Sequence, residues 1–191
     1  MVRALMVMAV FSAVATGADQ GYQSAKYKID LIEEDRAAPG SRIWLSVAEL
    51  NAYARIEAAK VVPQGLRSPR LELGQGSATG SALVDFLKVR GMEGPSPSRL
   101  IAWFLAGERP VRVTATIQSG QRRATVTVRQ VTVSGMTAEG AVLDFLIANF
   151  FLPFYPEAKI GRPFDLKHGI DRLEVTPAGV RVFIADRPAT R

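Results

Sequence analysis

The 191 residues hold one histidine, no cysteine and 18 acidic side chains, so few chemistries are open to this chain. His168 stands in Lys167-His168-Gly169, a turn sequence with no second histidine or cysteine near it. That arrangement does not assemble the His-rich or His/carboxylate ligand sets that hold zinc. A Ser-His-Asp unit would have to recruit the same turn histidine, and no G-x-S-x-G elbow offers a serine to it. Asp85, Asp144, Asp165 and Asp171 are candidates for the paired carboxylates of glycoside hydrolysis, but nothing in their spacing selects a pair. Gly74-Gln75-Gly76 leads into a strand pattern, whereas a phosphate loop opens a helix. Without cysteine, thiolate chemistry and disulfides are both excluded. The expectation is a protein that is not an enzyme and uses no metal and no cofactor.

The polar residues with informative spacing serve local structure. Ser46-Val47-Ala48-Glu49 is an S-x-x-E capping box, in which the serine oxygen takes a backbone amide and the glutamate reaches back to the cap. Val47, Leu50, Tyr53, Ala54 and Ala58 continue it at helical period, and Pro63 ends the helix. Asn51 is unusual inside a helix; its reading is satisfaction of a neighbouring backbone group in preference to a ligand contact. The segment before Pro39-Gly40-Ser41, with Ile29, Leu31 and Ile32, fits a strand or a helix, its poor alternation favouring helix, and the Pro-Gly pair is a turn.

The rest of the chain alternates. Leu71-Glu72-Leu73, a Gly-Gln-Gly turn and Ser77 to Val89 predict a hairpin, its second arm rich in small residues with Gly80 permitting a bend or a close approach. A short apolar piece, Leu100 to Leu105, follows a proline-rich loop. Val111, Val113, Ala115 and Ile117 alternate with polar residues, the chain turns near Gly120, and Ala124, Val126 and Val128 return. Beyond Arg129-Gln130 the apolar parity shifts to Val131 and Val133, which marks a bulge. A second helix is expected from about Ala138 to Phe151, apolar on almost every side and therefore buried on several. Phe164 to Leu166, Ile170 to Val175 and Val180 to Ile184 are strands, the last two joined by Thr176-Pro177-Ala178-Gly179. Helix, four strands, helix and three strands in antiparallel hairpins describe an α+β domain.

Two apolar segments exceed what one sheet face needs. Trp103, Phe104, Phe145, Leu146, Phe150 and Phe151 are the candidate lining of a cavity completed by an apolar ligand. The alternative for each is an ordinary core position, since a large side chain gains roughly 1.5–3 kcal/mol on burial in either case.

The ends and the charge set the context. Residues 1–18 combine Arg3, an apolar run from Ala4 to Val14 and small residues in Ala13-Val14-Ala15 and Thr16-Gly17-Ala18, the pattern of a secretory signal peptide. Residues 19–40 form a polar N-terminal segment, 41–186 a single domain and 187–191 a loose tail. The expected location is periplasmic or secreted. The formal charge is +6, but Arg67, Arg70, Arg122, Arg123, Arg172 and Arg181 are scattered, without the basic stripe and interleaved aromatics that nucleic acid requires. No nucleic acid partner is expected; the scattered charges read first as an ordinary solvated surface, with peripheral contact with an anionic lipid surface as the alternative.

Ser46-x-x-Glu49-Leu50-Asn51-x-Tyr53 resembles the S-x-x-E-L-N opening of small exported bacterial lipid-binding proteins of the YceB and LmeA kind, related to the tubular lipid-binding (TULIP-like) group. The order of elements over residues 41 to 185 is similar too. The resemblance implies a strongly curved antiparallel sheet wrapped on one or two helices around an apolar tunnel, and non-enzymatic binding or carriage of lipid in the cell envelope. The lipoprotein cysteine of some of those proteins has no counterpart here, so no lipid anchor is implied. The other functional class consistent with these elements is an interaction module of an envelope assembly, with a solid core and a protein partner.

Overall fold

The computed structural model describes residues 5–61, 65–89, 106–148 and 161–186. Helix α1 runs from Leu5 to Glu33. It stops where Asp35 takes a positive φ of 55°, and the Arg36 amide reaches back to the Leu31 carbonyl at 3.0 Å, a Schellman-type closure with aspartate where glycine is usual. The boundary expected at residue 18 falls inside this helix. Strand β1 (Arg42–Ser46) leads directly into α2 (Val47–Val61). The predicted capping box is present: Ser46 Oγ accepts the Glu49 amide at 3.2 Å, and Glu49 Oε2 accepts the Ser46 amide at 2.8 Å.

The chain then forms β2 (Leu66–Gly74), β3 (Ser77–Asp85), the one-turn helix α3 (Phe86–Val89), β4 (Glu108–Gly120), β5 (Arg123–Val133), β6 (Met136–Thr137) and α4 (Gly140–Leu146). It closes with β7 (Phe164–Asp165), β8 (Ile170–Thr176) and β9 (Gly179–Ile184). The fold is α+β with a large, open antiparallel sheet, in the order β2-β3-β4-β5-β6 with β7 also on β5. The strands expected in one sheet are divided between two, because β1, β9 and β8 form a separate three-stranded sheet in that order. Strand β1 was missed by the sequence, although Ile43 and Leu45 alternate there and are both buried. The arm expected to run from Ser77 to Val89 turns helical after Asp85, whose carboxylate caps the Lys88 amide at 3.3 Å. The second helix begins two residues later than expected and is described to Ala148.

The bulge at the parity shift is where the alternation puts it. Thr114 pairs with Gln130 and Ala115 with Val128, so Arg129 is the extra residue of β5. A second bulge lies in β2 between Arg67 and Arg70. It contains Ser68 at φ 51° and Pro69, whose missing N–H is harmless on an edge strand.

Each sheet has its own core. Ala25 and Ile32 of α1 pack with Ile43, Leu45, Val182 and Ile184 on the small sheet, with Leu50 and Tyr53 of α2 against them. Phe86, Val131, Val133, Ala138 and Leu146 form the second cluster, under α3 and α4. The sheets meet along the outer edge of β8. The Gly76 amide donates to the Val175 carbonyl at 2.9 Å and the Arg122 amide to the Asp171 carbonyl at 2.8 Å. Between them Ser119 Oγ both accepts the Leu173 amide and donates to its carbonyl, each at 2.8 Å.

Glu49 fastens α1 to α2. Its carboxylate takes Ser24 Oγ at 2.5 Å, Lys28 Nζ at 2.6 Å and both Ser46 groups, and its side chain is only 14% exposed. Burial is the largest single influence on this carboxyl and opposes its charge. The bonds from Lys28, Ser24 and Ser46 together outweigh burial and bring the pKa from 4.5 to about 2. A depressed acid stabilises the fold above its unfolded pKa, and this contribution is lost as pH falls from 4.5 through about 2. The linkage is worth about 3 kcal/mol. Glu49→Gln is expected to lower the unfolding free energy at pH 7 by about 2–3 kcal/mol and to flatten the acid limb of stability, as measured by urea titration at a series of pH values.

Candidate apolar site on the large sheet

The two faces of the large sheet differ in kind. Register places Ala78, Gly80, Ala82 and Val84 of β3 in line with Ala115, Val113, Val111 and Arg109 of β4. The last two valines and Ala115 continue onto Val131, Val133 and Val128 of β5. Leu71 and Leu73 of β2 extend the same face opposite Gly80 and Ala78, and Ile117 and Val126 extend it toward the β4–β5 turn. The opposite face carries Glu72, Thr79, Ser81, Arg112, Thr114, Thr116 and Thr125, with Thr79 and Thr114 hydroxyls 3.0 Å apart. An antiparallel sheet split this way needs apolar cover on one side only.

Among the described residues that cover is incomplete. Val131 and Val133 are buried beneath Phe86, Ala138 and Leu146, but Leu71, Leu73, Ala78, Ala82, Ala115, Ile117 and Val126 are only half-buried. At Gly80, in the middle of this strip, no described atom lies within 4 Å of where a Cβ would stand. Small side chains thus floor a strip that larger aliphatic ones flank.

Helix α2 lies along the β2 edge of the same sheet. Asn51 Nδ2 donates to the Leu71 carbonyl and Asn51 Oδ1 accepts the Leu71 amide, both at 2.8 Å. The asparagine amide therefore stands in for a strand partner, which is the backbone-satisfying role its place in the helix suggested.

Of the six residues predicted to line a cavity, only Leu146 has a described side chain, and it is 7% exposed within the α4 cluster. Phe145 lies on α4 with its side chain outside the description, and Trp103, Phe104, Phe150 and Phe151 lie outside the described residues. The flanking chain is informative. Helix α3 ends at Val89, and Glu108, which opens β4, pairs with Asp85. The chain leaves α4 near Val133 and is next described at Gly161, whose amide bonds the Val126 carbonyl at 2.8 Å. The half-buried strip itself was not singled out from sequence, although the alternation that marks β4 also marks the strip.

Among the described residues, no group of three His, Cys, Asp or Glu side chains could hold a metal ion, and no helix is long and apolar enough to cross a membrane. No known protein family, curated protein or solved structure matches this chain.

Leu146 distinguishes packing from ligand contact. Leu146→Ala is expected to cost about 2–4 kcal/mol, because its neighbours are Val131 and Val133. Denaturant unfolding of the variant beside wild type checks this.

Proposed function

We propose that this protein binds or carries an apolar ligand, a lipid, in the periplasm or cell envelope, and that it performs no reaction on it. The observation that carries the reading is the open strip over Gly80, walled by half-buried aliphatic side chains. An acyl chain suits such a surface, because it gains about 0.8 kcal/mol per buried methylene and needs little directional bonding. In this reading the large sheet curves around the ligand to form a tunnel, and the bulges at Ser68-Pro69 and Arg129 supply bend and twist.

Export fits the same role. The signal-like residues 1–18 lie N-terminal to Tyr22, which stacks on Tyr53 of α2 with ring centroids 6.1 Å apart. N-terminal sequencing of protein recovered from the producing cells is expected to start between Thr16 and Asp19; an intact Met1 on protein retained in the cytoplasm counts against export.

Gly80→Val tests the ligand. Its φ is not positive, valine suits a strand, and the added methyls enter open space. The variant is expected to melt no lower than wild type while its capacity for a fluorescent fatty acid falls severalfold. Unchanged uptake, together with no lipid in organic extracts of purified wild type, would favour instead an interaction module whose apolar strip meets an envelope protein.

A further inference from the structure

A second site stands where the two sheets join. A cleft of about 520 Å³ is lined by Arg42, Arg122, Arg172, Phe183, Asp171 and Asp186, with Gly40 and the 184–185 backbone at its rim. Arg42, Phe183 and Arg172 come from three adjacent strands at one register level. Both guanidiniums lie against the Phe183 ring, their central carbons 5.5 Å and 3.7 Å from its centroid. Stacking on an aromatic holds an arginine in place while leaving its N–H edges free to bond.

Two departures from regular structure bring the third arginine in. Asp171 is the extra residue of a bulge in β8, between Ile170 and Arg172, and bulges re-aim side chains. Arg122 occupies a two-residue hairpin turn with Gln121, at φ 61° and 53°, a turn whose usual residues are Asn and Gly. Non-glycine residues in that region are strained. The turn is pinned at both groups of Arg122: its amide bonds the Asp171 carbonyl at 2.8 Å, and its carbonyl accepts the Leu166 amide at 2.7 Å.

The charges do not cancel. Arg172 is paired with Asp171 at 3.2 Å. Among the described residues, neither Arg42 nor Arg122 has a carboxylate within ion-pair distance. Asp186 stands at the Gly40 rim, where a Cβ on Gly40 would meet its carboxylate, and leaves one positive charge in surplus. We propose that this cleft binds a phosphate group, with Arg42 and Arg122 supplying charge-assisted hydrogen bonds and Arg172 shared between the ligand and Asp171. The group could belong to free phosphate or to a phospholipid headgroup; the chemistry recognised is the same, and the site is independent of the strip over Gly80.

Calorimetric titration at low ionic strength, where screening is weak, tests the cleft with two probes: inorganic phosphate, and dioctanoyl phosphatidic acid below its micelle concentration. Saturable binding with a Kd below ~1 mM is expected for at least one. Equal affinities identify phosphate itself as the ligand, and much tighter binding of the lipid identifies the headgroup as the source. Arg122→Gly removes the guanidinium where glycine relieves the backbone, so the variant should melt no lower than wild type yet bind about 10- to 100-fold more weakly. Arg42→Gln should weaken binding similarly, and Gly80→Val should leave phosphate binding unchanged. Failure of both probes to saturate in wild type, or wild-type affinity in both arginine variants, would overturn the assignment.

Discussion

Unpaired backbone at the sheet edges is the constraint on which the architecture turns. A strand at an edge leaves alternate N–H and C=O groups without partners, and burying them unpaired is costly. Here two edges are completed by side chains that donate and accept at once. Ser119 does so at Leu173 of β8, and Asn51 at Leu71 of β2. Around Ser119 the Gly76 and Arg122 amides take the neighbouring β8 carbonyls. The outer edge of the small sheet is thus satisfied by the turns of two hairpins of the large one, and the two sheets are held together without merging.

Helix α2 stands at the other junction. Glu49 faces α1 and the end of β1, while Asn51, two residues on, reaches β2. Each group neutralises a structural cost. The Glu49 charge is tolerated under burial because Lys28, Ser24 and Ser46 supply its bonds, and the edge of β2 is tolerated because an amide completes it. One short stretch of helix therefore ties an N-terminal helix, a small sheet and a large sheet into a single unit.

The two candidate surfaces follow from these joints. Alternation across β2 to β5, broken at the two bulges, gives the large sheet one mainly aliphatic face and one face mainly of threonine, serine and charge. The rows nearest α3 and α4 are buried and those around Gly80 are half-open. The arginine cleft arises because the β4–β5 turn must lie on β8 to bond its edge, which sets Arg122 beside a face already carrying Arg42 and Arg172. The chemistries of the two surfaces are separable, the strip resting on area and the cleft on charge.

Local regularities were legible in the sequence because their causes are local. The capping box depends on residues three apart, the β4–β5 hairpin on a period of two, and the bulge at Arg129 on a break in that period. The structural role of Asn51 was legible as well, since a polar amide in a helix needs a backbone partner, though not that the partner is Leu71. What tertiary structure decided was pairing between distant segments. The alternation of Ile43 and Leu45 is too short to announce β1, which exists because β9 offers it an edge. The split into two sheets, the burial of Leu146 among valines of β5 and the meeting of Arg42, Arg122 and Arg172 rest on the same cause. Periodicity fixes which face of a strand is apolar, but its neighbour is chosen by which unpaired edges can be satisfied together.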